Sequence, residues 1–279
     1  MIDAHFHCWQ LDRGDYGWLT PDLAPIYRDV AVHEWAQHAQ AHGITGGVLV
    51  QAAPTEAETH FLLAQADANP QVLGVVGWVD MLAPDAPARI TQLARHPKLK
   101  GLRPMLQDIA DPDWMLQPAL TPALQAMAHH GLVFDALVKP IHLMRVLALT
   151  QRHPQLRVVI DHGAKPSLDV PLTEWGDGLR AVALATPAQQ VACKLSGLWT
   201  ELPPGSDSAA LTPWGEMLLS VWGPHRLIWG SDWPVLNLAA DYARWRSWSV
   251  DFLRQRCAPE AVHRVLEGNA RQMYQLAPR

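Results

Sequence analysis

Short apolar runs and longer amphipathic segments alternate along the whole chain. The apolar runs cover residues 2–6, 46–50, 72–79, 99–103, 132–138, 157–162, 191–195 and 226–230. They are rich in Val, Leu and Ile and do not alternate with polar residues, as strands of a parallel sheet buried on both faces require. Between them lie segments such as 31–42, 56–69, 86–96, 122–130 and 142–153, whose apolar residues recur at i, i+3 and i+4. His96-Pro97 and His153-Pro154 end two of these, because a residue before proline leaves the helical region. Eight β-then-α units predict an α/β fold, a (β/α)8 TIM barrel forming a single domain over residues 1–279. The alternative, a doubly wound open sheet, would carry a Gly-rich phosphate turn after its first strand. This chain has His5-Phe6-His7 there.

Three long connections, 8–30, 107–118 and 199–213, follow strands one, four and seven. On a barrel all three sit on the face that carries active sites, and the first, with Trp9, Tyr16, Trp18 and Tyr27, is long enough to act as a partial lid. A net charge of −5 with interspersed signs points away from nucleic acid and anionic membranes. No run of 18 apolar residues is present, so no transmembrane helix is expected. The first residues do not read as a signal peptide, since Asp3, His5 and His7 interrupt any apolar stretch. Cys8, Cys193 and Cys257 are odd in number and far apart, which fits reduced thiols and a cytoplasmic location. The 13 tryptophans are read first as packing residues and second as sugar-stacking surfaces.

Chemistry collects at the strand ends. On a strand, His5 and His7 point to one face, although 14 histidines in this length give roughly 0.7 such pairs by chance. They have company: Gln51, Asp80, Arg103, Gln107, Asp135, Asp161, His162, Lys194, Ser196, Ser231 and Asp232 lie at or just past the other strands. Charged groups at one end of an apolar barrel are costly unless they bind or react with something. Asp80 and Asp161 also have a simpler reading as helix N-caps. Asp232 follows the last strand and so neighbours strand one in a closed barrel, beside His5 and His7.

With His5-Phe6-His7, the run 161–166 (Asp-His-Gly-Ala-Lys-Pro) and Gly230-Ser231-Asp232-Trp233-Pro234, the chain resembles the amidohydrolase superfamily. The runs 15–19, 77–80, 99–107 and 193–198 make it similar to the sugar-lactonase branch of amidohydrolase 2 proteins, which holds L-fucono- and L-rhamnono-lactonases. That resemblance implies a carboxylic ester hydrolase of carbohydrate metabolism that opens a sugar-acid (aldono) lactone. It implies Asp232 and His162 as catalytic residues, and Arg103, Gln107, Lys194 and Trp78 on the substrate. It also implies one divalent metal, zinc by preference, on His5, His7 and Asp232, or none. The expected partner is a small-molecule sugar lactone; nucleic acid and membrane are not expected, and a homodimer is allowed. Binuclear relatives use a carboxylated Lys or a Glu on strand four and a His on strand five. Arg103 and Asp135 stand there instead, which argues against a second metal. A decarboxylase or other lyase on the same scaffold and a non-catalytic ligand-binding barrel are the rival readings.

Overall fold

Eight parallel strands pair in chain order to form one sheet. They are β1 (Ile2–Phe6), β2 (Gly46–Val50), β3 (Val72–Gly77), β4 (Leu99–Leu102), β5 (Val133–Ala136), β6 (Arg157–Ile160), β7 (Val191–Leu195) and β8 (Leu227–Trp229). The computed structural model describes residues 1–277. Helices α1 (Val32–Ala41), α2 (Glu56–Ala68), α3 (Ala86–Leu93), α4 (Thr121–His129), α5 (Leu143–Arg152), α6 (Leu172–Ala185), α7 (Thr212–Trp222) and α8 (Tyr242–Arg256) follow the strands in turn. This is the expected (β/α)8 barrel. The ring closes just past the strand ends, where His7 N donates to Trp233 O at 2.8 Å and Asp232 N donates to His5 O at 2.8 Å. The same hydrogen bonds therefore complete the barrel and bring the two histidines beside Asp232.

Five strands, β3, β4, β5, β6 and β8, are shorter than the apolar runs suggest, and local competition for backbone groups explains two of the ends. β3 stops at Gly77 because the Thr59 hydroxyl accepts from Trp78 N and donates to Trp78 O, each at 2.7 Å, removing that residue from the ladder. β5 begins only at Val133 because Leu132 N is taken by Met127 O at the end of α4. β6 ends at Ile160, and His162, expected on the strand, lies in a tight turn over Asp161–Ala164 with φ of 52°.

The barrel interior is filled by small and branched side chains, including Ala4, Val48, Val76, Val133, Val159 and Ile228. Tyr274 and Met273, from the short C-terminal helix α9 (Asn269–Met273) and the turn after it, pack against this layer. Outside it, the tryptophans both pack and donate. Trp35 on α1, Trp175 on α6 and Trp245 on α8 give their indole N–H groups to Asp3 Oδ2, Gly163 O and Gly230 O at 2.8–2.9 Å. Each fixes a strand end next to the site. The packing expectation thus holds for these three, with positioning added.

Asp3 is the carboxylate that locks the β1–β8 seam. It is fully buried and accepts from Ser231 N (2.8 Å), Ser231 Oγ (2.7 Å), Trp35 Nε1 (2.9 Å) and Tyr242 Oη (2.9 Å). It turns outward towards α1 and α8, whereas His5, two residues on, turns inward to Arg103 and Lys194. A register shift between Asp3 and Phe6 separates the two orientations. Removing the carboxylate leaves several buried donors unpaired, each costing about 1–3 kcal/mol. Asp3→Ala is expected to lose about 3 kcal/mol or more in urea unfolding; a loss under about 1 kcal/mol would contradict this role.

Candidate active site

The floor of the site is a cluster of imidazoles around one carboxylate oxygen. Asp232 Oδ1 lies 3.3 Å from His7 Nε2, 3.6 Å from His5 Nε2 and 3.8 Å from His162 Nε2, and the first two nitrogens are 3.2 Å apart. All four side chains are buried. The backbone is strained at two of them: Asp232 has φ of 60° and His162 φ of 52°, in a region that side chains other than Gly rarely adopt. Such strain persists where the surroundings over-determine it. Here Asp232 N is tied to His5 O, and His162 Nδ1 meets Ser196 Oγ at 2.9 Å. Gly197 is required at its position, because a Cβ there would lie 2.4 Å from His162 Nδ1 and its own φ is +61°.

Hydrogen-bond partners assign the protons. Val50 O can only accept, so His7 Nδ1, 2.8 Å away, carries a hydrogen, which leaves Nε2 as the nitrogen that faces Asp232 and, in the neutral ring, offers a lone pair. Two donor-only groups flank His5, Lys194 Nζ 3.0 Å from Nδ1 and Arg103 NH1 3.4 Å from Nε2; the shorter contact takes the lone pair of Nδ1, so neutral His5 carries its proton on Nε2 and Arg103 makes no hydrogen bond to it. Burial pushes the imidazoles of His5 and His162 down, His162 to about 4, so both are neutral at pH 7. Burial pushes Asp232 up, but the facing imidazoles of His162, His7 and His5 outweigh it and hold the carboxyl well below its usual range.

A second layer of charge lies under this floor. Lys194 is completely buried, and its ammonium meets Asp135 Oδ2 at 2.6 Å and Asp161 Oδ1 at 2.8 Å. Tyr274 Oη donates to both oxygens of Asp135 at 2.9 Å. Burial raises Asp135 to about 6 against the pull of Lys194, while Lys194 itself is raised by Asp135 and Asp161 despite its burial. Arg103 pairs with Asp161 Oδ2 at 3.4 Å, donates to Gln51 Oε1 at 2.9 Å and to Gln51 O, and points NH1 at His5 Nε2, 3.4 Å away.

The floor opens into a cavity of about 410 Å3, within the size range of ligand pockets. His7, Arg103, Gln107, His162 and Asp232 line it. Gln107 Oε1 is buried without a partner among the described residues, an acceptor available to a ligand hydroxyl. Lys194 and Trp78 are placed elsewhere. Lys194 is beneath the floor, where it orients His5, and Trp78 lines an adjoining cavity. Asp80 also lies on that neighbour. Lys165 and Glu201, ion-paired at 3.0 Å, also line the active-site cavity; sequence assigns neither a role, although Lys165 belongs to the 161–166 run, and nothing in the local pattern of Glu201 distinguishes it from a surface charge.

His5, His7 and Asp232 fit a single tetrahedral cation. Zinc bonded at about 2.0–2.1 Å requires ligand atoms about 3.3–3.4 Å apart, and the three edges here are 3.2, 3.3 and 3.6 Å. His7 offers its lone pair and is oriented by Val50 O, the outer-shell contact that such ligands use. To bind through Nε2, His5 would have to move its proton to Nδ1 and exchange its contact with Lys194 Nζ at 3.0 Å for Asp161 Oδ1, now 3.5 Å away. A second group, His5, Asp161 and His162, is also close enough together, but Asp161 is committed to Lys194 and Arg103.

A family model described as amidohydrolase matches residues 2–276. The chain is 44% identical to an L-fucono-1,5-lactonase of Burkholderia ambifaria over 279 residues, covering 99% of this chain and 95% of that protein. It is 37% identical to an L-fucono-1,5-lactonase of Burkholderia multivorans over 256 residues, 86% and 84% of the two chains. A crystal structure of an amidohydrolase from Burkholderia multivorans with bound zinc superposes with a TM-score of 0.92 at 32% identity, covering 99% of each chain. Among the described residues, no helix is long and apolar enough to cross a membrane.

The burial of His162 gives a direct expectation. Desolvation disfavours the charged form of a base, so its midpoint falls. Followed by nitrogen-15 NMR in metal-free protein, the His162 ring should remain neutral at pH 6 and titrate near pH 4. A midpoint at or above the ordinary 6.5 would contradict the packing described.

Proposed function

The chain belongs to the amidohydrolase family, and we propose that it hydrolyses a sugar-acid lactone such as L-fucono-1,5-lactone, with Asp232 as general base. It is a carboxylic ester hydrolase whose substrate is a small lactone. The observation that carries the assignment of the base is the single carboxylate oxygen of Asp232, on the cavity wall and faced by three imidazole nitrogens within 3.8 Å.

Asp232 is held ionised at neutral pH, so its acceptor form is always present, at the expense of basicity. It takes a proton from water as the water oxygen bonds to the carbonyl carbon, and the carbonyl π pair moves onto oxygen. The Arg103 guanidinium, on the cavity wall, is the donor suited to that developing oxyanion, with the Nε2–H of His5 buried behind it when no cation is bound. Collapse breaks the ring C–O bond, and the leaving ring oxygen takes the proton back from Asp232. His162, fixed by Ser196 and Gly197, orients the carboxylate. Gln107 and Arg103 hold substrate hydroxyls. A divalent cation on His5, His7 and Asp232, zinc by the fit of the three edges, supplies Lewis-acid polarisation of the carbonyl and a lowered water pKa when bound. On β5, Asp135 is spent on Lys194 and Tyr274, so that strand offers no imidazole for the decarboxylase alternative.

Asp232→Asn keeps the shape and removes the acceptor. Proton release from L-fucono-1,5-lactone should fall by about 10²–10⁴, the usual worth of a general base, with the melting temperature little changed; near-normal turnover would sink the assignment. Zinc binding is tested by competition with a chromophoric chelator. One equivalent should bind the unmodified protein, and His7→Ala should weaken binding by at least about tenfold, the lower end of what ligand-shell losses produce. Equal affinity in the two proteins would remove the metal from this site.

A further inference from the structure

Next to the active-site cavity lies a larger one, of about 660 Å3, that the chemistry above does not use. Trp18, Met105 and Asp108 line both, so the two spaces share a wall. Trp18 is fixed at that wall by its indole N–H, which donates to Ala52 O at 2.6 Å. Trp78 and Trp114 face the same space from the β3 end and from the 107–118 insertion. The insertion is anchored to α5 by Arg145 Nε on Asp113 Oδ1 at 2.7 Å, so Trp114 stands on a supported loop.

The polar chemistry of this cavity has one sign. Among the described residues, its only charged lining groups are Asp15, Asp80 and Asp108, and the other lining residues are tryptophans, methionines, aliphatic side chains, prolines and a glycine. Asp15 Oδ2 is occupied by Arg13 at 2.8 Å and Thr55 Oγ1 at 2.6 Å, while its buried Oδ1 has no partner among the described residues. Asp80 uses one oxygen on Leu82 N and Asp108 one on the Gln107 amide. Three indoles with three carboxylate acceptors and no cationic donor suit a neutral ligand with many hydroxyl donors and an apolar ring face. They disfavour an anionic ligand, which would meet Asp80 and Asp108 with no cation on the wall, Asp15 alone being paired, with Arg13.

We infer that this second cavity is a glycosyl subsite, so that the enzyme accepts sugar lactones bearing a further neutral sugar unit. The inference rests on the lactonase reading for the position of the lactone ring and extends it to a larger substrate class. The lactone ring occupies the cavity above Asp232, and the attached sugar passes Trp18 and Met105 to lie among Trp78, Trp114 and the carboxylates. Its hydroxyls donate to Asp15, Asp80 and Asp108, and its C–H face stacks on indole.

The test uses L-fucono-1,5-lactone and the same lactone glycosylated singly at O2, O3 or O4, in the unmodified enzyme and in Leu82→Trp and Trp114→Ala. Leu82 is 42% exposed on the rim, so an indole there fills the second cavity without entering the core. Turnover is read by proton release, and affinity by calorimetry on the ring-opened acids, which needs no turnover. At least one glycosylated acid should bind tenfold or more tighter than the parent acid. Both variants should abolish that gain while changing parent kcat/KM by less than twofold. The inference is overturned if no glycosylated acid binds more tightly than the parent, if the variants affect parent and glycosylated ligands alike, or if an alkyl ether at the same position gives the same gain as the sugar. Loss of parent turnover in the unmodified enzyme, with glycosyl-dependent and Leu82-sensitive binding intact, would refute the lactonase reading and leave the subsite standing.

Discussion

The ammonium of Lys194, sealed from water between Asp135 and Asp161, is the interaction on which the site depends. Burying such a group is tolerable only if its charge is paired and its protons find acceptors. Lys194 hydrogen-bonds Asp135 Oδ2 and His5 Nδ1, and Asp161 Oδ1 adds a second countercharge 2.8 Å away. The same contact therefore satisfies the lysine and fixes which nitrogen of His5 faces the cavity. Tyr274 extends this chain to the C-terminal end of the described protein through Asp135. A residue far from the reacting centre is thus coupled by hydrogen bonds to the orientation of a first-strand histidine.

Above that layer, the charges are arranged to leave one carboxylate in excess. Arg103 and Lys194 face Asp135 and Asp161, while Asp232 has only imidazoles around it. Two of those imidazoles, His5 and His162, are kept neutral by burial. An ionised acceptor beside these two neutral imidazoles is the arrangement that the proposed proton transfer and the proposed divalent cation both call for. The positive φ at Asp232 and His162 belongs to the same design: the strained backbone aims two side chains at one point and is held there by barrel closure and by Gly197.

Specificity is divided differently. Reaction chemistry sits on the strand ends, which the sheet holds rigidly, whereas the adjoining cavity is walled largely by connections after β1, β3 and β4. Trp18 and Met105 join the two regions. Changes in the connections can reshape the adjoining cavity without disturbing the ion-paired floor.

Much of this was legible in the chain itself. Apolar runs without alternation can be satisfied only by a sheet covered on both faces, so eight of them interleaved with amphipathic segments specified the barrel, and chain order alone made Asp232 a neighbour of His5 and His7. Strand limits were less legible, because side chains distant in sequence compete for backbone groups, as Thr59 does at Trp78. The role of Lys194 was open for a related reason. A strand-end lysine can face a ligand or a buried carboxylate, and only the inward turn of Asp135 and Asp161 decides it. Asp3 shows the limit most plainly: it shares a strand with His5 two positions away, and a register shift sends one outward to lock the seam and the other inward to the floor. Sequence determined the fold and which residue types gather at its catalytic end, since periodicity and composition are local properties. The pairing of charges, the tautomers and the division between reacting floor and second cavity depend on contacts between residues far apart in the chain, and tertiary structure alone decided them.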